Sequence, residues 1–237
     1  MCYLKMNTIL ELLEEFDFER TSFPFSSPLV IHAVPGSGKT SLLREALLLD
    51  PTISVCTFGE PDKTNLEGRY IQPAIGCSPS EEEFYVLDEY LSGNWKGNWK
   101  VLLSDPFQNS GHCLAAHFVK RVTKRFGKST CKLLKELGWS VESDKEDEVT
   151  FEELIGSTPS GLTICLEKDV EGYLKGHNCP FKKPCQVRGL TEELVSVVVS
   201  RDLKDLFSPE LFVALTRHTR KLRILMLNVA NRSTGLQ

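Results

Sequence analysis

The feature that most constrains this chain is the turn Gly-Ser-Gly-Lys-Thr, which stands between an apolar run and a stretch of helix-forming residues. Leu29 to Ala33 predicts a short buried strand, and Ser41 to Leu49 predicts a helix. Glycines in such a turn let backbone N–H groups close around phosphate oxygens, while the lysine reaches the outer phosphates and the hydroxyl ligates magnesium. The sequence therefore predicts a phosphate-binding loop for ATP or another nucleoside triphosphate, with Mg²⁺ on Thr40. Its candidate ligands are Pro35, Gly36, Ser37, Gly38, Lys39, Thr40 and Ser41.

A second candidate site follows another apolar run about fifty residues downstream, where Phe-Tyr-Val-Leu is followed by Asp88 and Glu89. Hydrolysis of a nucleotide needs a carboxylate on the magnesium and a group that orients or activates water. Such groups usually sit at the end of a buried strand beside the phosphate loop. We therefore assign Asp88 to the metal and Glu89 to the water.

The pattern of elements along the chain predicts an α/β fold. Short buried strands are predicted at 53–58, 83–87 and 99–103 in the first half, and at 162–166, 194–200 and 222–227 in the second. Helices are predicted at 6–18, 129–137 and 209–216. Alternating strands and helices favour parallel sheets with crossover helices. We expect an N-terminal helix and connector (1–28), a first domain (29–117) and a second domain (118–237).

Composition and charge narrow the class of protein. Up to Phe118 the chain has eight basic and 16 acidic residues, a net charge of −8. After Phe118 it has 20 basic and 16 acidic residues, a net charge of +4. The segment Lys120 to Lys135 contains seven basic and no acidic residues, which suits a polyanion or a solvated helix face equally. Eight scattered cysteines without C-x-x-C spacing specify neither a zinc ribbon nor a disulfide lattice. Because no apolar run reaches 18 residues, we expect a soluble intracellular protein with no transmembrane segment.

Five ordered motifs together resemble the helicase motifs of superfamily 1. They are Gly-Ser-Gly-Lys-Thr at 36–40, Leu-Asp-Glu-Tyr at 87–90, Ser-Asp-Pro-Phe-Gln at 104–108, Arg-Gly-Leu-Thr at 188–191 and Val-Ala-Leu-Thr-Arg-His at 213–218. Within the viral branch, the chain resembles the first protein of the triple gene block, the movement protein of filamentous plant RNA viruses of the potexvirus and carlavirus type. His117, Arg125-Phe126-Gly127 and the ending 213–219 look like that family in particular. The resemblance spans about residues 6 to 230.

The resemblance implies two RecA-like halves with nucleotide in the cleft between them. It implies that Gln108 senses the terminal phosphate and that Arg125 and Arg217 reach across from the second half to stabilise the transferring phosphoryl group. A rigid guanidinium suits charge that builds up on equatorial phosphoryl oxygens. The same resemblance implies that Gly189 lies at the nucleotide cleft and that residues 57–62 lie on the nucleic-acid side of the first half.

Three residues depart from the family pattern. Ala33 replaces the first glycine of the phosphate loop, Ser104 replaces a glycine before Asp105, and Glu192 stands where a phenylalanine is common. None of these changes removes a predicted catalytic group. A chain of 237 residues has little room for the inserted domains with which large helicases split duplexes. We therefore expect an NTPase and an RNA helicase of limited processivity.

The resemblance also implies functions that cannot be derived from individual residues of the sequence. They are movement of viral RNA through plasmodesmata, suppression of host RNA silencing, and a location in the host cytoplasm and at plasmodesmata. The implied partners are single-stranded viral RNA, virions, sister movement proteins, host silencing factors and further copies of the chain.

Two alternatives to an ATP-driven motor remain open. The chain could be an RNA-binding movement and silencing adaptor in which nucleotide hydrolysis is weak or regulatory. It could also be a small-molecule kinase, although that class does not explain the motifs at 104–108 and 213–218.

Overall fold

The computed structural model describes residues 2–227, with side chains from Lys5 onward. It divides into two compact units, of which the first ends at Val122 and the second begins at Thr123. The helices are α1 (Cys2–Glu15), α2 (Lys39–Leu49), α3 (Lys128–Glu136), α4 (Lys168–Gly176) and α5 (Pro209–Leu215). The strands are β1 (Glu19–Arg20), β2 (Leu29–Ala33), β3 (Ile53–Thr57), β4 (Gln72–Pro73), β5 (Phe84–Asp88), β6 (Val101–Ser104), β7 (Phe118–Lys120), β8 (Glu148–Glu153), β9 (Leu162–Cys165), β10 (Glu192–Val199) and β11 (His218–Met226). Across residues 2–227, none of the helices combines the length and apolar character needed to cross a membrane.

The first unit is built on a seven-stranded sheet in the order β1-β7-β2-β6-β5-β3-β4. All neighbouring strands run parallel except the two-residue β1, which pairs antiparallel with β7. Crossovers between β2, β3, β5 and β6 place strands from distant parts of the sequence side by side. The carboxyl ends of these four strands therefore lie along one edge of the sheet, where ligands bind in open α/β folds.

The amino-terminal helix belongs to the core of the first unit. Its buried residues Ile9, Leu12 and Leu13 recur at helical spacing and join the cluster that contains Leu42 and Leu43 of α2. The described part of this segment, residues 2–28, is therefore an integral part of the first unit, in contrast to the separate helix and connector (1–28) expected from the sequence.

His117 holds the connector after α1 against the first sheet. Its Nδ1 accepts the Val30 N–H at 2.9 Å, and its Nε2 lies 3.1 Å from the Ser26 hydroxyl. Burial, together with the nearby Arg20 charge, lowers the pKa of His117. The Ser26 N–H also points at Nε2, at 3.1 Å, so both ring nitrogens contact backbone N–H groups of the segment 26–30.

The second unit has a four-stranded, fully parallel sheet in the order β8-β11-β10-β9. The carboxyl-terminal part of β10 is buried and β11 is partly buried, whereas β8 at the edge has exposed and half-buried residues only. Together the two sheets confirm the expected α/β class with parallel sheets.

The boundary between the units lies later than the sequence indicated. We expected the second domain to start at residue 118, but β7 pairs in parallel with β2 through Ile31 and Phe118. This short strand completes the first sheet, so the first unit extends to Val122. The strand β8 and the helix α4 were not predicted, and the acidic segment 142–148 leads directly into β8.

The start of α3 is capped by a residue from a distant part of the chain. Asp147 Oδ1 accepts the backbone N–H groups of Ser129 and Thr130 at 2.9 and 3.3 Å, and its Oδ2 accepts the Thr130 hydroxyl at 2.6 Å. His218 Nε2 lies 3.1 Å from the same Oδ2, and both side chains are fully buried. Burial raises the pKa of Asp147, but the hydrogen bonds from His218 and Thr130 outweigh it and hold the pKa at about 2.

We expect Asp147→Asn to destabilise the second unit by about 1–3 kcal/mol at pH 7, since charged hydrogen bonds to buried groups are lost. An aspartate with a depressed pKa stabilises the fold above its unfolded pKa near 3.9, and this stabilisation is lost as the pH falls toward 2. The difference between variant and parent should therefore shrink between about pH 4 and pH 2. Urea unfolding followed by Trp139 fluorescence measures it, with the exposed Asp144→Asn as control. An Asp147→Asn variant as stable as the parent at pH 7 would contradict the assignment.

Candidate nucleotide-binding site

The phosphate turn follows β2, and its backbone shows why glycines are needed. Gly36 and Gly38 adopt φ angles of 73° and 100°, in the region that side chains strongly disfavour. Gly38 is the N-cap of α2, so the turn passes directly into the helix and presents its amino end. The ring of Phe16, just after α1, lies 3.5 Å from where a Cβ on Gly38 would stand. The predicted strand, turn and helix are all present.

Lys39 is the central cation of the site. It is 8% exposed, and its Nζ donates to the carbonyl oxygen of Ala33 at 2.8 Å. The same Nζ lies 3.7 Å from Glu89 Oε1. The side chain is therefore folded toward the carboxyl ends of the strands. Thr40 and Ser41 are exposed at the start of α2, while Pro35 and Ser37 are buried.

The predicted metal carboxylate lies at the end of β5. Asp88 is 7% exposed, and its Oδ2 accepts the Thr57 hydroxyl at 3.0 Å. Burial raises the pKa of Asp88 to about 7; the Glu89 charge contributes in the same direction and Lys39 opposes it. This carboxylate is held in a position where its negative charge is only partly compensated.

Glu89 follows directly and has an unusual backbone conformation. Its φ and ψ of 53° and 41° place it in the left-handed region, which costs free energy for a residue with a side chain. Ser104 Oγ, at the end of β6, donates to Glu89 Oε2 at 3.3 Å. The serine that departs from the family pattern thus supplies a contact to the predicted catalytic carboxylate.

Gln108 is fixed by a third acidic residue. Its Nε2 donates to Asp105 Oδ2 at 2.7 Å, and the Phe107 N–H donates to Asp105 Oδ1 at 2.9 Å. Asp105 is fully buried, and this burial raises its pKa to about 6 although Lys39 acts in the opposite direction. The sequence placed Asp105 in a motif but gave it no role, and the structure shows that it orients Gln108.

A divalent cation fits this donor set. The charge of Lys39 lowers the pKa values of Asp88 and Asp105, and its ammonium group is paired with Glu89. Three acidic side chains thus share one lysine, so the cluster has more negative than positive charge. Two buried oxygens, Ser37 Oγ and Asp88 Oδ1, have no hydrogen-bond partner among the described residues. Within residues 2–227, no three His, Cys, Asp or Glu side chains form a complete metal site. Protein ligands together with phosphate oxygens are the usual way in which Mg²⁺ is held.

The predicted residues of the second unit lie along the amino ends of its central strands. Arg217 immediately precedes β11, is 2% exposed, and its Nε donates to the Val213 carbonyl at 3.0 Å. Arg125 Nη1 donates to the carbonyl oxygen of Thr216 at 3.3 Å, which brings the two arginines together. Gly189 has a φ of 82° and lies shortly before β10, whose first N–H, from Glu192, donates to the Arg217 carbonyl. The structure thus groups all three predicted residues within this unit.

The basic segment 120–135 is only partly a surface strip. Lys120 is 4% exposed, and its ammonium group donates to the carbonyl oxygen of Phe16. In α3, by contrast, Lys128, Lys132 and Lys135 are exposed at positions four and three residues apart. Arg121 and Lys124 are exposed as well, whereas Lys128 is paired with Glu146 at 2.7 Å. The segment therefore presents several exposed cations to a polyanion, of which Lys128 would first have to leave its partner.

We expect Asp88→Asn to stabilise the protein at pH 8 in the absence of nucleotide. The pKa of Asp88 is about 7 in the folded protein and near 3.9 in the unfolded chain, so the folded protein binds this proton more tightly. Asp88 therefore destabilises the fold increasingly as the pH rises from about 4 to 7, and asparagine removes this effect. Thermal unfolding should show a higher midpoint for the variant at pH 8 and a much smaller difference at pH 4. A lower midpoint at pH 8 would contradict the predicted ionisation of Asp88.

Comparisons with known proteins identify the family. The model of the viral superfamily 1 RNA helicase core domain matches residues 29–226. The chain is 48% identical to the movement and silencing protein TGBp1 of Apple stem pitting virus (isolate PA66), over 92% of this chain and 98% of that protein. It is 36% identical to TGBp1 of Poplar mosaic virus (isolate ATCC Pv275), over 92% and 96% of the two chains. For TGBp1 of Papaya mosaic potexvirus the identity is 37%, over 93% and 95%.

Solved structures support the fold. The arterivirus nonstructural protein 10 helicase, solved in complex with DNA, matches with a TM-score of 0.58 and 17% identity, over 83% of this chain and 60% of that one. A second structure of an arterivirus helicase matches with a TM-score of 0.51 and 16% identity, over 93% and 56%. This chain thus spans less than two thirds of those helicases, and the likeness concerns the RecA-like fold. The sequence relatives and the family model together show that the chain belongs to the movement and silencing proteins of the plant-virus triple gene block, with a viral superfamily 1 RNA helicase core.

Proposed function

We propose that this chain hydrolyses ATP, or another nucleoside triphosphate, and uses the reaction to remodel single-stranded viral RNA during movement between host cells. The observation that supports it best is the cluster around Lys39, where Asp88, Glu89 and Asp105 are held at the ends of neighbouring parallel strands. A purely structural cluster would not need a strained Glu89 or unpartnered buried oxygens on Ser37 and Asp88.

The roles of the residues in the first unit follow from their positions. The phosphate chain is received by the backbone of the turn, with Lys39 released from Ala33 to reach the outer phosphates. Thr40 and Asp88 would hold Mg²⁺, which when bound neutralises charge on the phosphates. Glu89 accepts the proton of the attacking water, and Ser104 holds its carboxylate. Gln108, oriented by Asp105, contacts the terminal phosphate.

We assign Arg125, Arg217 and Gly189 to the same reaction. Both guanidinium groups are oriented by main-chain carbonyls, which limits the conformational freedom lost when they bind an anion. The exposed Lys132 and Lys135 of α3 suit the phosphates of RNA, a contact whose strength falls with salt. The names of the relatives, movement and silencing proteins, support a role in movement and in suppression of silencing. A cytoplasmic site of action and transport through plasmodesmata belong to the same proposal and are implied by the family resemblance.

Replacing Lys39 tests the reaction directly. We expect Lys39→Ala to lower the rate of ATP hydrolysis by about 100-fold or more, because a preorganised cation is lost from the phosphates. Lys63→Ala removes an exposed lysine of the same unit and is expected to leave the rate unchanged. Release of inorganic phosphate, measured with and without single-stranded RNA, provides the readout. Equal, RNA-stimulated rates for Lys39→Ala and the parent would exclude the proposed site.

The role of Glu89 is tested separately from binding. We expect Glu89→Gln to lower the turnover rate by about 10² to 10⁴-fold, the usual contribution of a general base, because the amide cannot accept the proton. Affinity for a nonhydrolysable ATP analogue should change little, since glutamine keeps the size of the side chain. Hydrolysis under single-turnover conditions and calorimetric binding separate the two effects. If binding and hydrolysis fall together, Glu89 has a structural role in the site.

The adaptor alternative is separated from a motor by the coupling between ligands. A motor requires that nucleotide changes the affinity for RNA, because binding free energies are reciprocally linked. The affinity for a labelled single-stranded RNA is therefore measured with and without a nonhydrolysable ATP analogue. An affinity that ignores nucleotide supports the adaptor.

A further inference from the structure

Thr57 lies beside Asp88, the predicted metal carboxylate, and has no role in the proposed function. It is the last residue of β3, it stands opposite Asp88 of β5 in the parallel register, and it is 3% exposed. Its Oγ1 lies 3.0 Å from Asp88 Oδ2. A buried hydroxyl in this place is a direct neighbour of the carboxylate.

The direction of the Thr57 proton is determined by the loop that follows. The Gly59 N–H donates to Thr57 Oγ1 at 2.9 Å, so the hydroxyl oxygen is already an acceptor. A threonine hydroxyl has one proton to donate, and the Asp88 carboxylate is the acceptor within reach. The hydroxyl therefore donates to Asp88 Oδ2, and it does so from a fixed orientation.

This contact distinguishes the two oxygens of Asp88. Oδ2 is occupied by Thr57, whereas Oδ1 has no hydrogen-bond partner among the described residues. Groups that hold the far oxygen of a ligand orient it and tune its affinity for a metal. Thr57 thus leaves one defined oxygen of Asp88 available to a cation.

The segment that carries Thr57 is anchored at both ends. The Phe58 N–H donates to the Asp88 carbonyl at 3.2 Å, and Asp62 forms a bidentate contact with Arg44 of α2. A Cβ on Gly59 would lie 3.2 Å from Thr57 Oγ1 and 3.3 Å from Glu89 Cγ, so the loop passes close to Thr57 and to the side chain of Glu89. These contacts restrict the Thr57 side chain to the orientation described.

We infer that Thr57 is a positioning residue that presents Asp88 Oδ1 to the magnesium ion of the bound nucleotide. The inference rests on the proposed function, because it assigns a role within the same site. Thr57 acts through Asp88 and touches neither nucleotide nor metal. The segment 57–62, which family resemblance assigned to the nucleic-acid side, thus also has a contact with the hydrolytic site.

The test compares Thr57→Val, which keeps the shape and removes the hydroxyl, with Thr57→Ser, which keeps the hydroxyl. Calorimetry measures the affinity for ADP at a series of Mg²⁺ concentrations and also with EDTA. We expect Thr57→Val to raise the Mg²⁺ concentration for half-maximal enhancement of ADP binding by about tenfold, the lower end of the effect of such outer contacts. Binding with EDTA should stay within about twofold of the parent, and Thr57→Ser should resemble the parent throughout.

A double variant shows whether the effect passes through Asp88. If it does, Thr57→Val combined with Asp88→Asn should bind ADP no more weakly than Asp88→Asn alone, because the two changes remove one interaction. Additive losses of ADP affinity in the double variant would overturn the inference. A Thr57→Val variant with the Mg²⁺ dependence of the parent would also overturn it, as would a Thr57→Ser variant that binds as weakly as Thr57→Val. If valine prevents folding, judged by circular dichroism, Thr57→Ala is measured in its place.

Failure of the inference can be distinguished from failure of the proposed function. If the parent protein does not bind ADP, the proposed nucleotide site is wrong, and if it binds ADP equally with Mg²⁺ and with EDTA, the proposed metal site on Thr40 and Asp88 is wrong. If Mg²⁺ strengthens binding to the parent and to Thr57→Val alike, only the role of Thr57 is wrong.

Discussion

The arrangement of the first unit depends on one lysine that lies among more buried carboxylates than it can neutralise. Lys39 contacts the Ala33 carbonyl and Glu89, and it lowers the pKa of Asp88 and Asp105 without restoring either to its ordinary value. Burial of these groups without full compensation costs free energy that the apolar core must offset. The parallel sheet imposes this arrangement, since it brings the ends of β2, β3, β5 and β6 to one edge. A cation bound together with a polyphosphate would supply the positive charge that this cluster lacks.

In the second unit, a buried hydrogen-bond network rather than a cluster of uncompensated charges holds the predicted residues in position. Its central feature is a fully buried network in which Asp147 caps α3 and contacts His218, the residue after Arg217. Arg125 is joined to the same segment through the Thr216 carbonyl. Three stretches that are far apart in the sequence thus meet at the amino ends of β10 and β11. The two predicted arginines depend on this network for their positions.

The parts of the structure that the sequence predicted are those where a local pattern carries the signal. β2 was placed at its observed bounds because a run of five residues, of which four are apolar, precedes a turn with a lysine and a threonine. The missed elements lack such patterns. β8 is an edge strand with three glutamates, and α4 contains two glycines and buries only Val170 and Leu174. Contacts between strands were beyond sequence reasoning, so Thr57, Ser104 and Asp105 received no partners.

The packing of α1 places residues outside the helicase core next to its phosphate turn. The family model begins at residue 29, yet the Phe16 ring lies against Gly38, and the Phe16 carbonyl accepts from Lys120. The amino-terminal segment therefore packs directly against the phosphate turn. A substitution at Phe16 therefore changes the packing of the phosphate turn, although Phe16 lies outside every helicase motif of the sequence.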